Sequence, residues 1–279
     1  MSEMLYPELY KSLESVRWNM EKDVPWGEFD GDKLTDEQAL SIKHNAITEW
    51  SALPATEMFL RDNQGDSDFS AFISVWFYEE QKHSLSLIEY LRRFRPDMVP
   101  TEAELHNVRF QFDSAPANET LMLHFCGEIR LTYWYRCAAE WHTEPVIKKI
   151  YNFLSADEAR HASCYMRYMR KAIDGLGDEA RLAFAKIGVL MTNTKTSRAM
   201  HPTNLHVCEA LFPNDTVQSK MPDPEWLEKW LDQQIKFDKG WEDKVVTAIL
   251  RKLSGLFELK FECAKDLRIY RKQLALAIA

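Results

Sequence analysis

Residues 78–84 read YEEQKHS and residues 157–163 read DEARHAS. Each holds an acidic residue followed by Glu-x-x-His: Glu79 before Glu80 and His83, and Asp157 before Glu158 and His161. Glu at i and His at i+3 share one face of a helix. The face around Glu80 also carries Ile73, Trp76, Phe77, Leu87 and Leu91, and the face around Glu158 carries Ile147, Ile150, Tyr151, Leu154 and Tyr165. These are the stripes that a helical bundle buries. A bare carboxylate there is costly or is forced neutral, and a bound cation offsets that cost.

A single Glu-x-x-His is usually a solvated helix face. Two of them, both among aromatics, point to a shared purpose. They supply four ligands, and a pair of ions needs one more carboxylate from each of two other helices. In an antiparallel helix pair, residues equidistant from the turn lie level. Glu49 and Glu80 are equidistant from the turn at 64–65, and Glu128 and Glu158 from residue 143. Glu57 is the rival on the first helix, but its level partner is Phe72, two turns from Glu80. The candidate ligands are therefore Glu49, Glu80, His83, Glu128, Glu158 and His161. One Glu from each of two helices and Glu-x-x-His from each of two more is the dinuclear pattern of ferritin-like bundles. Carboxylate and imidazole without thiolate suit iron or manganese, with zinc as an impostor.

The rest of the chain supports an all-α reading. It has 279 residues, 46% hydrophobic and 12% aromatic, enough for a real core, and only nine glycines. No strand-like alternation and no Gly-rich phosphate loop stand out. A short helix is expected near 6–16. The capping box T-D-E-Q at Thr35 starts a helix running to about Arg61, kinked by Pro54. Further helices are expected over about 68–94, from Thr101, over about 118–142, from the turn HTEP to the glycines of DGLGD, and over 178–199. Residues 224–277 read as helical, interrupted near Gly240 and Gly255. Their apolar spacing (Trp226, Trp230, Ile235, Val246, Ile249, Leu250, Leu253, Leu256) suits a docking or dimerising helix pair. The expected architecture is a four-helix bundle, core about 35–175, with N-terminal helices and a C-terminal helical extension, all one domain over 1–279.

Net charge is −8 and no basic tract occurs, which argues against nucleic acid as a partner. Five cysteines at wide spacing, without C-x-x-C, read as free thiols in a reducing compartment. No apolar stretch is long enough to span a membrane and no N-terminal signal is visible, so a cytoplasmic placement is expected.

At the ligand motifs the sequence resembles the soluble acyl-carrier-protein desaturases and their ferritin-like di-iron relatives. ITEWSALPATEMF (47–59) looks like their first ligand helix, FYEEQKHS (77–84) and SADEARHAS (155–163) are similar to their second and fourth ligand motifs, and GEIRLT (127–132) looks like the third. RWNMEKDVPW (17–26) resembles a Trp-containing segment ahead of the bundle. The likeness covers about residues 15–175. One extra residue separates the Glu from A-L-P, and Thr132 lies one position later than the family's threonine.

The resemblance implies two iron ions, with a mixed manganese–iron pair fitting the same ligands, and dioxygen activation at the reduced centre. Electrons would come from a donor such as a ferredoxin. Thr132 takes the place of a catalytic threonine. By pseudo-symmetry Asp157 orients His83 and Glu79 orients His161, and Trp18, Asp157 and His83 form an electron route inward. The implied substrate is an apolar acyl chain, perhaps carrier-protein-linked, in a channel lined by Leu53, Phe77 and Thr132. Arg92, Arg93 and Arg95 are the basic run that would receive the carrier. A homodimer is expected. His124, one turn before Glu128, reads as a core or supporting histidine. Competing readings are a hydroxylase or N-oxygenase of a small amine or aromatic, an iron-storing bundle, and a scaffold with an inert metal.

Overall fold

The computed structural model describes residues 4–193 and 240–278, and every regular element among them is helical. The helices are α1 (Tyr6–Val16), α2 (Met20–Asp23), α3 (Asp36–Glu49), α4 (Ala52–Asp62), α5 (Ser67–Phe94), α6 (Glu102–Asn107), α7 (Ala117–Trp141), α8 (Pro145–Leu176), α9 (Asp178–Met191), α10 (Trp241–Phe257) and α11 (Ala264–Ile278). Short turns join α4 to α5 and α7 to α8, so each pair folds back on itself. The α3–α4 rod packs on α5, α7 packs on α8, and the two pairs close through α5 on α8 and α4 on α7. The result is the all-α bundle expected. No helix among the described residues is long and apolar enough to cross a membrane.

Local chemistry explains most of the boundaries. Thr35 accepts from the Gln38 N–H while the Gln38 side chain accepts from the Thr35 N–H, the reciprocal cap read from the sequence. Asp66 caps α5 through the Phe69 N–H. Gly177, at φ +59°, ends α8.

Three expectations are corrected. The helix from Thr35 does not run kinked to Arg61. It breaks at Trp50–Ser51 into α3 and α4. Pro54 has no N–H to give the Trp50 carbonyl, and its ring crowds that carbonyl, so the ladder fails four residues before the proline. The Trp50 N–H is instead shared among Ala46, Ile47 and Thr48 carbonyls. Next, the helix expected over 178–199 ends at Met191 among the described residues, and 194–199 lie outside them. The Thr192 hydroxyl donates to the Gly188 carbonyl at that end. Third, Gly240 precedes α10 at φ +98°, but α10 runs through Gly255 and stops at Glu258, φ +58°. Trp226, Trp230 and Ile235 lie outside the described residues.

The apolar face of α10 docks inside the chain. Ile249, Leu250, Leu253 and Leu256 are buried, α10 lies on α7 and α9, and α11 on α9. The described part of the apolar stretch that suggested a docking or dimerising pair is therefore covered by the chain itself, and the homodimer expectation is left to the family resemblance. Gly188 on α9 permits this approach: a Cβ there would stand 3.0 Å from Leu253 and 3.1 Å from Leu267.

Glu144, fully buried, ties the bundle together at the start of α8. It accepts from the N–H groups of Val146, Ile147 and Asp30 and from the Tyr90 hydroxyl. Glu144→Ala strands four donors. It is expected to lower stability to denaturant by about 1–3 kcal/mol, without changing metal stoichiometry, since Glu144 is no candidate ligand.

Candidate metal centre

Four helices each deliver one level of side chains to the bundle axis. α3 brings Glu49, α5 brings Glu80 and His83, α7 brings Glu128, and α8 brings Glu158 and His161, all at most 5% exposed. They form two overlapping groups. One is Glu49, Glu80, His83 and Glu158; the other is Glu80, Glu128, Glu158 and His161. Within each, one ligand atom per residue lies within 4.8 Å of the others. Glu80 and Glu158 belong to both, so they sit where bridging carboxylates sit, with Glu49 and His83 at one end and Glu128 and His161 at the other. Glu57, the rival to Glu49, is on the surface paired with Arg109.

The two imidazoles are held from behind. His83 Nε2 meets Asp157 Oδ2 at 3.1 Å, and His161 Nε2 meets Glu79 Oε2 at 3.0 Å. Asp157 also accepts from Trp18 Nε1 at 2.7 Å and from Arg160, and Glu79 from Arg17 Nε at 3.3 Å. Such carboxylates fix the proton on Nε2 and turn the Nδ1 lone pair inward. His83 Nδ1 then faces oxygens of Glu49, Glu80 and Glu158 at 3.5–3.6 Å. His161 Nδ1 faces Glu80 at 2.8 Å, Glu158 at 3.5 Å and Glu128 at 3.6 Å.

That arrangement fits cations. A lone pair aimed at carboxylate oxygens is repulsive unless a proton or metal ion lies between them. Both Nδ1 atoms, both oxygens of Glu158 and one oxygen each of Glu80 and Glu128 are buried without a hydrogen-bond partner. Four carboxylates and two neutral imidazoles carry four negative charges, which two divalent ions balance. Without metal, protons take their place. Burial pushes the carboxyls of Glu49 and Glu158 up to about 8, for Glu158 with help from the charge of Glu80. His83 and His161 rise well above the ordinary imidazole range: burial opposes this, and the surrounding carboxylates outweigh it. Glu79 falls to about 2, because His161 overcomes the cost of burial.

Residues that the sequence reading did not connect to the ligands complete the shell. Tyr135 donates to Glu49, and Trp76 Nε1 donates to Glu128 Oε1 at 3.0 Å. Trp76 lies one turn before Glu80 and Tyr135 about two turns after Glu128, so their faces were legible. Their cross-helix partners were not. Lys82 sits 4.3 Å over the Trp18 ring and donates to the Trp18 carbonyl. Asp157→Asn keeps the shape but weakens the hold on the His83 tautomer. It is expected to lower affinity for divalent metal about 10–100-fold in an equilibrium titration.

Three expectations about the substrate side change. A cavity of about 100 Å³ touches Glu49, Glu80 and Glu128, and it is lined by Ala52, Ala55, Trp76, His124 and Leu131 among others. Leu53, Phe77 and Thr132 are not among its lining residues. The break at Trp50–Ser51 turns Ala52 and Ala55 toward the cavity in place of Leu53. The Thr132 hydroxyl donates to the Glu128 carbonyl at 2.8 Å, and Leu131 faces the cavity. The basic run is neutralised: Arg92 and Arg93 pair with Glu89, Arg93 also with Glu21, and Arg95 with Asp36 and Asp97.

A buried carboxylate–imidazole cluster shared by four helices is a candidate metal centre. A family model described as fatty acid desaturase matches residues 28–194, a stretch that contains all six converging side chains. The chain belongs to that family. It is 26% identical over 188 residues to palmitoyl-(acyl-carrier-protein) 4-desaturase 2, chloroplastic, of Ophrys arachnitiformis subsp. archipelagi, covering 63% of this chain and 50% of the relative. It is 27% identical over 168 residues to the protein of the same name from Ophrys sphegodes, covering 56% and 44%. The chain spans about half the length of these curated relatives.

Proposed function

We propose that this protein is an oxygen-dependent di-iron oxidoreductase that desaturates or hydroxylates an acyl chain, delivered as a carrier-protein thioester. The observation that carries the reading is the pair of overlapping ligand groups sharing Glu80 and Glu158 inside the desaturase-family stretch. Glu49 and His83 would hold one ion and Glu128 and His161 the other, with Glu80 and Glu158 within reach of both. Iron bound there supplies dioxygen reduction and oxidation of a substrate C–H bond. The chain's own residues do the positioning. Asp157 and Glu79 keep the Nε2 protons in place, Tyr135 and Trp76 restrain the terminal carboxylates, and the aliphatic and aromatic cavity wall excludes water. Trp18, through Asp157, offers a route for electrons from a small donor such as a ferredoxin. Thr132 meets substrate only if it releases the Glu128 carbonyl. The bundle and C-terminal helices act as one domain, in the cytoplasm, as a homodimer.

The cavity of about 100 Å³ favours a second reading, oxidation of a small amine or aromatic, because ligand pockets for larger molecules run to about 300–1,000 Å³. The first test is anaerobic addition of ferrous iron to metal-free protein, followed by oxygen. About two irons per chain and a transient visible band decaying to an oxo-bridged spectrum are expected. One iron or fewer, or indifference to oxygen, sinks the oxidase reading.

A further inference from the structure

The helix α11 carries two apolar stripes on nearly opposite faces, and the fold uses one of them. Leu267 and Leu274 are buried, and Tyr270 between them packs on Phe257 and Phe261 at 5.3 and 5.6 Å. That stripe docks the helix on α9. The other stripe runs through Lys265, Ile269, Lys272 and Leu276, at steps of four, three and four, so it keeps to one face. All four side chains are exposed. Ile269 is 45% exposed and Leu276 81%, the largest value for a large hydrophobic side chain among the described residues. Arg268 and Arg271 flank the stripe, and none of the four cations of α11 has an ion-pair partner among the described residues. The one acid on the helix, Asp266, is turned back on its start, where it accepts from the Glu262 and Cys263 N–H groups. Arg92, Arg93 and Arg95 are by contrast each held by carboxylates. In a chain of net charge −8, α11 is therefore a local concentration of unneutralised positive charge around protruding aliphatic side chains.

We propose that the outward face of α11 is a docking surface for an anionic lipid bilayer, on which the protein lies without crossing it. Cations beside leucine and isoleucine on one helix face suit the boundary between headgroups and acyl chains. Ile269 and Leu276 enter the apolar layer there, while the stems of Lys265 and Lys272 lie along it and their ammonium groups reach the phosphates. The four unpaired cations supply the attraction to a negative surface such as the cytoplasmic leaflet. A protein partner fits this face less well. Protein interfaces are depleted in lysine and centre on aromatic side chains, and the one aromatic ring of α11, Tyr270, is spent on Phe257 and Phe261. The inference stands apart from the oxidation chemistry and does not need it.

The experiment floats the full chain with vesicles of phosphatidylcholine alone, and of phosphatidylcholine with phosphatidylglycerol at about three to one. Wild type is expected to float with the anionic vesicles only, and to be released in large part at about 0.5 M salt. Each cation removed from the stripe should lower the partition coefficient about fivefold, so Lys265→Gln with Lys272→Gln lowers it about 25-fold. Leu276→Ser should lower it about tenfold. Arg92→Gln removes the same charge from a paired site and should leave it within about twofold. These substitutions spare Leu267 and Leu274, which dock the helix, and circular dichroism checks that each variant is folded. Absence of binding to anionic vesicles overturns the proposal. Binding that the α11 substitutions leave unchanged, or that Arg92→Gln weakens as much as they do, overturns it too. Failure to bind vesicles together with retention on an immobilised acidic carrier protein, lost in the α11 variants, gives the face to a protein partner and overturns the lipid assignment. A protein without iron chemistry that still floats with anionic vesicles through α11 leaves this inference standing and removes only the oxidase reading.

Discussion

Glu158→Ala is expected to cut bound iron from about two ions per chain to one or fewer and to abolish oxygen-dependent turnover. Glu158 is fully buried and belongs to both ligand groups, so its loss damages both ion positions at once. Residues that only support a ligand cost about 10–100-fold in affinity when removed, and a bridging ligand should exceed that range. The same variant is expected to be more stable than wild type when both are metal-free. The carboxyl of Glu158 is raised to about 8 by burial and by the charges of Glu80 and Glu128, so the native state holds it against its preference. Above about pH 4.5 the unfolded chain releases that proton while the native state keeps it, a cost to folding that the alanine removes. Metal content by elemental analysis and denaturant melts with and without chelator check both halves. A Glu158→Ala protein that still binds two irons tightly would remove this carboxylate from the centre.

The second large effect is on pH. In metal-free protein the native carboxyls of Glu49 and Glu158 titrate near 8, against an ordinary value of 4.5. Between those values the native state holds protons that the unfolded chain has released, so stability falls as pH rises. His83 and His161 act in the same sense: their native imidazolium is favoured, and that stabilisation is complete below about pH 6.5 and is lost as pH rises through the native value. Glu79, lowered to about 2, acts oppositely, adding stability above 4.5 that is lost as pH falls toward 2. Metal replaces the protons, so its binding strengthens with pH. From about pH 6 to about pH 8 the metal-free melting temperature should fall, the loaded one should hold, and the gap should widen. Calorimetry in two buffers of different ionisation enthalpy should show more than one proton released per chain loaded. A gap that narrows with rising pH would mean that the six side chains do not carry the metal.

Much of the centre was legible because helical spacing is local. Glu80 with His83 and Glu158 with His161 lie one turn apart whatever the tertiary structure, and their stripes of Ile, Leu, Trp and Tyr required burial. Counting outward from two short turns was enough to place Glu49 and Glu128 level with them. At Trp50–Ser51 the chain breaks where a kinked but continuous helix is expected, because Pro54 acts on a carbonyl four residues upstream and the helix can bend or stop there. That choice turned Ala52 and Ala55, not Leu53, to the cavity. Thr132 shows the same limit: its hydroxyl can reach its own helix backbone or a substrate, and only the packed environment selects.

By itself the sequence determined the all-α class, the bundle's level of registration and the identity of the six converging side chains. All of these follow from the 3.6-residue period and from the cost of burying charge. The tertiary structure alone decided which distant groups meet. It set Trp18 and Arg160 on Asp157, Tyr135 on Glu49, and Trp76 on Glu128. It also turned the apolar face of α10 onto α7 and α9. Those contacts join residues far apart in the chain, and their partners depend on how helices rotate and pack, which no local spacing encodes.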